Sequence, residues 1–152
     1  MKISGSYELA LPPARAYTIL QDPAILARCM PGCDHLNRIG ETEDGHVAYE
    51  MKMKMAISSV QGLFAGTVKL ADPNEPSSFR LIVEGSGKIG FMKGEGVLTF
   101  VESGAGTDVR YEGEVNVGGV IAGVGQRLLD VTAKHIIKKF FGKVVGAAGE
   151  ME

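Results

Sequence analysis

The sequence predicts an α+β fold: a curved antiparallel sheet of about seven strands, two short helices after the first strand, and one long C-terminal helix across the sheet. Three observations predict it. Most of the first 117 residues alternate apolar and polar with a period of two. Prolines at 12, 13, 23 and 31 interrupt that alternation after the first strand. After Gly118-Gly119 the apolar period changes to about 3.6. A chain of 152 residues, 45% of them hydrophobic, suits one domain over 1–152 with one substantial core.

The first strand places Ile3, Gly5, Tyr7, Leu9 and Leu11 on one face and Lys2, Ser4, Ser6, Glu8 and Ala10 on the other. Pro12-Pro13 ends it, and Ala14 to Leu20 follows as a short helix. Asp22 reads as an N-cap, with Pro23 opening a second helix to about Arg28. Pro31-Gly32 stops that helix. Strands are expected over His35–Glu41 and Val47–Ile57, with Glu43-Asp44-Gly45 turning between them. Phe64 to Leu70 continues the series to a turn at Asp72–Pro76. Phe79–Val83, Met92–Phe100 and Val109–Val117 complete it, with a connection at Gly85–Gly90 and a turn at Ser103–Gly106. The helix is read from Ile121, with a stripe of Val124, Leu128, Thr132, Ile136, Phe140 and Val144, widened by Leu129 and Ile137.

Hairpin-linked strands must be antiparallel, and a sheet with one apolar face needs a cover. A helix of roughly 25 residues spans about 37 Å, and a ten-residue strand spans about 33 Å. The last helix can therefore cover the whole face. The face beneath it is unusual. It carries Met51, Met53, Met55 and Met92 together with Gly66, Gly94, Gly96 and Gly113. Flexible thioethers and missing side chains suit a tolerant apolar pocket, whereas a tightly specified core favours Leu, Ile and Val. A methionine stripe at strand spacing also suits plain core, and both readings stand at this level. A dry void costs roughly 24 cal/mol per Å3, so a pocket of about 300 Å3 would cost on the order of 7 kcal/mol. That rivals the stability of a whole domain. A large pocket should therefore hold ligand, water or collapsed methionines.

Other chemistries find little support. The net charge of −2 gives no field for nucleic acid. Gly85-Ser86-Gly87-Lys88-Ile89-Gly90 matches a dinucleotide fingerprint in letters, but strands flank it on both sides and no helix follows. Cys29 and Cys33, with His35 near and His46 and His135 scattered, give neither a disulfide framework nor four metal ligands, so no metal is expected. Glu50, Glu84, Glu95, Glu112 and Glu114 fall on the outward parity and read as a solvated face, so no catalytic residue is assigned. The N-terminus MKISGSYELA lacks an apolar signal region, and no run of 18 apolar residues occurs, which predicts a cytoplasmic protein. Lys134, Lys138, Lys139 and Lys143 make one face of the last helix basic, a face suited to solvent or to an anionic membrane.

Asp22-Pro23-Ala24-Ile25-Leu26 followed by Cys29-Met30-Pro31-Gly32-Cys33 resembles the opening signature of one family. Gly62–Gly66, Gly85-Ser86-Gly87 with Gly90, Gly94-Glu95-Gly96, Tyr111 to Gly119, Gly125–Leu129 and Phe140-Phe141 are similar to its later blocks, in order, over nearly the whole chain. The family is that of CoxG, the carbon monoxide dehydrogenase accessory protein, within the START-like superfamily. The resemblance implies a helix-grip fold with an internal hydrophobic cavity and a non-catalytic role. It also implies association with a molybdenum hydroxylase, by recruiting that enzyme to the inner membrane face or delivering quinone to it. Many members carry a further linker and apolar tail; this sequence ends at Glu152 before any such segment. No cofactor is expected beyond a bound isoprenoid quinone or lipid. Its walls would be Met51, Met53, Met55, Phe64, Leu81, Met92, Leu98 and Tyr111 on the sheet, with Val124, Leu128 and Thr132 on the helix. A Leu128→Arg change should then abolish uptake. Two other readings are a polyketide cyclase or dehydratase using Tyr111, Tyr49 or Thr132, and a module that docks on a partner enzyme.

Overall fold

The computed structural model describes residues 1–150, with side chains to Ala147. The order is β1 (Lys2–Leu9), α1 (Pro13–Ile19), α2 (Pro23–Cys29), β2 (Cys33–Glu41), β3 (Val47–Ile57), β4 (Val60–Asn74), β5 (Ser78–Gly87), β6 (Gly90–Ser103) and β7 (Gly106–Gly118). A 3-10 turn over Val120–Val124 leads into the long helix α3 (Gln126–Glu150). The seven strands form one antiparallel sheet ordered β1-β7-β6-β5-β4-β3-β2. β1 and β2 are neighbours in the chain but lie at opposite edges. The two short helices carry the chain between those edges. Pro13 starts the first of them, and the Asp22 carboxylate caps the second by accepting from Ala24 N–H at 2.9 Å.

Apolar residues gather in two clusters rather than one. The larger joins α1, the far ends of the strands and the C-terminal part of α3, through Leu9, Tyr17, Leu20, Phe100, Phe140 and Val144. Tyr17 meets Phe79 and Phe100 edge-on, with ring centroids 5.6 and 5.4 Å apart. Thr107 is buried there and donates to the Leu11 carbonyl at 2.7 Å. The smaller cluster unites Ile57, Phe64, Ile121 and Leu129 near the start of α3.

Several boundaries differ from the sequence reading, each for a local reason. Gly85–Gly90 is not a loop: β5 and β6 pair as far as Gly87 opposite Gly90, leaving only Lys88-Ile89 as the turn. β4 runs through Asp72–Asn74, where Asp72 adopts φ 49° at a register shift. The tight Ser58-Ser59 turn between β3 and β4 is reached with Ser58 at φ 57°. The long helix begins at Gln126, not Ile121, because Gly125 at φ 99° separates it from the 3-10 turn.

Sheet curvature depends on glycine where adjacent strands crowd together. Gly66 lies opposite Gly85, and a Cβ on Gly66 would overlap the Glu84 carbonyl. Gly142, by contrast, sits mid-helix with nothing within 4 Å of an added Cβ. Gly66→Ala should therefore cost about 3 kcal/mol or more, and Gly142→Ala should add about 0.5–1 kcal/mol of stability. Urea-denaturation midpoints of the two variants check both signs.

Candidate ligand-binding cavity

A cavity of about 310 Å3 lies between the concave face of the sheet and α3. Its floor follows from strand register. One rung across the sheet reads Leu36, Met51, Gly66, Gly85, Met92, Val117. Another reads Leu70, Leu81, Gly96, Gly113, Ile3. Gly94, between Val83 and Val115, is the bare position of a third. At Gly94, Gly96 and Gly113 the floor is backbone. Leu129, Thr132, Ala133, Ile136, Ile137 and Phe140 of α3 form the roof. Leu26 of α2 and Met30 just past its end, with Cys33 and Leu36 of β2, wall one side.

Of the wall residues expected from the sequence, Met51, Met53, Met55, Phe64, Leu81, Met92, Leu98, Tyr111 and Thr132 border the cavity. Val124 and Leu128 do not. Val124 packs against the smaller cluster, and Leu128 faces outward with 36% of its surface exposed. A strict repeat of four residues drifts by about 40° per step on a helix of 3.6 residues per turn, so with Thr132, Ile136 and Phe140 inward, Leu128 turns out and Leu129 turns in. Tyr49 is buried in the larger cluster and does not border the cavity. Sequence reasoning missed the α2–β2 wall, although a compositional signal was present. Met1, Met30, Met51, Met53, Met55 and Met92 all border this one cavity, and Met151 lies outside the described residues.

Charged side chains face away from the cavity. Glu95, Glu112 and Glu114 touch it through backbone, and alternation turns their exposed side chains to the convex face. There Glu95 approaches Arg80 at 3.6 Å, and Glu84 approaches Lys93 at 3.4 Å. Three polar side chains remain on the wall: Cys33, Tyr111 and Thr132. Burial, with Asp34 nearby, pushes the Cys33 thiol up, and its S–H donates weakly to the His35 carbonyl at 3.5 Å. A neutral thiol is a poor nucleophile. Tyr111 lies in a nearly parallel aromatic array, 6.1 Å from Phe141 and 6.3 Å from Tyr7. Its ring covers Gly5, where a Cβ would lie 2.6 Å from the hydroxyl. Burial, and then Tyr7, raise its phenol, so it stays protonated at neutral pH.

Among the described residues no three His, Cys, Asp or Glu side chains converge as metal ligands. No helix among them is long and apolar enough to cross a membrane. Gly85–Gly90 closes a hairpin and presents no helix N-terminus to a phosphate.

The chain is similar to several solved structures. A conserved protein from Geobacillus kaustophilus is 31% identical with a TM-score of 0.89, over 99% of this chain and 96% of that one. A START superfamily protein from Mycobacterium smegmatis shares the fold at 15% identity and TM-score 0.73, over 99% of each chain. So does the Zhui aromatase/cyclase from a Streptomyces species, R1128, at 12% identity and TM-score 0.69, over 98% of this chain and 93% of that one. No curated protein matches the chain. The family profile of CoxG, a carbon monoxide dehydrogenase subunit, matches residues 5–148, nearly the whole length. With the helix-grip architecture and the apolar cavity in place, this chain belongs to the carbon monoxide dehydrogenase CoxG family.

Proposed function

We propose that this protein is a non-catalytic carrier of an isoprenoid quinone or another lipid, accessory to a carbon monoxide dehydrogenase-type molybdenum hydroxylase. The observation that carries this reading is the cavity itself, about 310 Å3 walled by methionines and bare glycine backbone. That volume lies at the lower end of the range for small-molecule sites. Each methylene buried there contributes about 0.8 kcal/mol. An adaptable thioether wall suits a flexible hydrocarbon better than one rigid substrate.

The outer face of α3 supports a supply route from the inner membrane surface. Lys138, Lys139 and Lys143 make no ion pair among the described residues, while Lys134 pairs with Asp130 at 3.0 Å. Leu128 and Val131, the latter 57% exposed, add apolar area to the same helix. Each lysine near an anionic surface is worth about 1 kcal/mol. The cyclase reading draws support from the likeness to an aromatase/cyclase. It lacks an acid–base pair: of its three candidates Tyr49 is off the cavity, and Tyr111 and Thr132 have no charged partner on the wall.

Native mass spectrometry of freshly purified protein should reveal a bound apolar molecule, and adding quinone or lipid should raise the melting temperature. A clean apo mass with no thermal shift for any quinone or lipid defeats the carrier reading. Gly94→Leu should cut uptake at least about tenfold, because an added Cβ there meets only ordinary contacts and the side chain fills the void. Leu128→Arg should spare uptake, since that position faces outward. Lys138→Glu, Lys139→Glu and Lys143→Glu together should abolish cosedimentation with anionic vesicles while leaving uptake from detergent intact.

A further inference from the structure

Thr132 behaves unlike the threonine in α1. In a helix this side chain commonly donates to the carbonyl four residues back. Thr18 does so, to Ala14 at 3.0 Å. Thr132 also lies within a helix and borders the cavity, yet its hydroxyl has no partner among the described residues. A hydroxyl with no protein partner on a largely apolar wall is a donor free to bind a ligand oxygen.

The rest of the wall restricts what the oxygen can belong to. No lysine, arginine or histidine borders the cavity, and its three glutamates face the opposite side of the sheet. A carboxylate or phosphate placed inside would be desolvated without a counter-ion, which is prohibitive. The other hydroxyl, Tyr111, packs near Phe141, nine residues along α3 from Thr132. That separation is roughly 13 Å along the helix axis. The two hydroxyls therefore serve separate ends, with methionines and glycines between them.

We infer that the cavity selects a neutral amphiphile with a carbonyl or hydroxyl oxygen that accepts a hydrogen bond from Thr132, and that it rejects fatty acids and phospholipid headgroups. The inference rests on the carrier reading and narrows its ligand class. It assigns Thr132 as the specificity-determining residue, acting with the absence of an inward-facing charge among the described lining residues.

The test uses displacement of Nile red by three probes of similar length: 2-decanone, its isostere 2-methyl-1-decene, and decanoate. Thr132→Val preserves shape and removes the donor; Thr132→Ser keeps the donor. The valine variant should weaken the ketone about five- to tenfold and leave the alkene within about twofold. The serine variant should keep the wild-type ketone-to-alkene ratio. Decanoate at pH 7.5 should bind at least about tenfold more weakly than the ketone. An unchanged ratio in the valine variant, or decanoate binding as tightly as the ketone, overturns this inference alone. Displacement by neither neutral probe overturns the carrier reading and this inference with it.

Discussion

The cavity depends on α3 being pinned to the sheet at both of its ends. Leu129 anchors the start of the helix with Ile57, Phe64 and Ile121, while Phe140, Phe141 and Val144 anchor its far part among residues from α1 and the strand ends. A straight helix held at two points over a concave floor cannot sag into the middle. The glycines at 94, 96 and 113 deepen the floor there, so even roof residues as large as Ile136 leave space. The void is thus a product of geometry rather than of poor packing. Both anchoring clusters are close-packed, with Phe64 and Val144 fully buried.

Chemical quietness follows from the same layout. Strand alternation sends Glu95, Glu112 and Glu114 to the convex face, where Arg80 approaches Glu95. What remains inside is a protonated thiol, a protonated phenol and one aliphatic hydroxyl. Among the described residues none of the three has a charged neighbour on the wall. The membership in CoxG and the chemistry of the wall agree on a binding role.

Much of this was legible in the sequence because the sheet obeys a strict period of two. Met51, Met53 and Met55 had to share a face with one another and lie opposite Lys52 and Lys54, and register then carried Phe64, Leu81, Met92 and Leu98 to the same side. The helix was harder. Ile121 and Val124 fit the same stripe as Leu128 on paper, but one glycine with positive φ breaks the phase, and no periodicity argument senses a backbone dihedral. Tyr49 shows a second limit. It shares the inward parity, yet it belongs to the packed cluster rather than the void, since parity reports the face and not the depth. The α2–β2 wall was invisible because its residues, Leu26, Met30 and Cys33, follow no common period and meet only after the chain has crossed the sheet.

That crossing has a consequence for how the chain reaches its native state. β1 pairs with β7, joining Lys2 to Glu114, so the first strand synthesised finds its only sheet partner more than a hundred residues later. Pairing at such distance is entropically late and slow. While the polypeptide is still emerging from the ribosome, β1 and the helices that follow it have no platform. The hairpins from β2 to β6 can zip locally, but the larger cluster, which needs Leu9 and α1, assembles only once β7 has arrived. Until β7 pairs and α3 docks, the apolar face of those hairpins lacks its cover, a window in which a chaperone or an early-bound lipid would shield it.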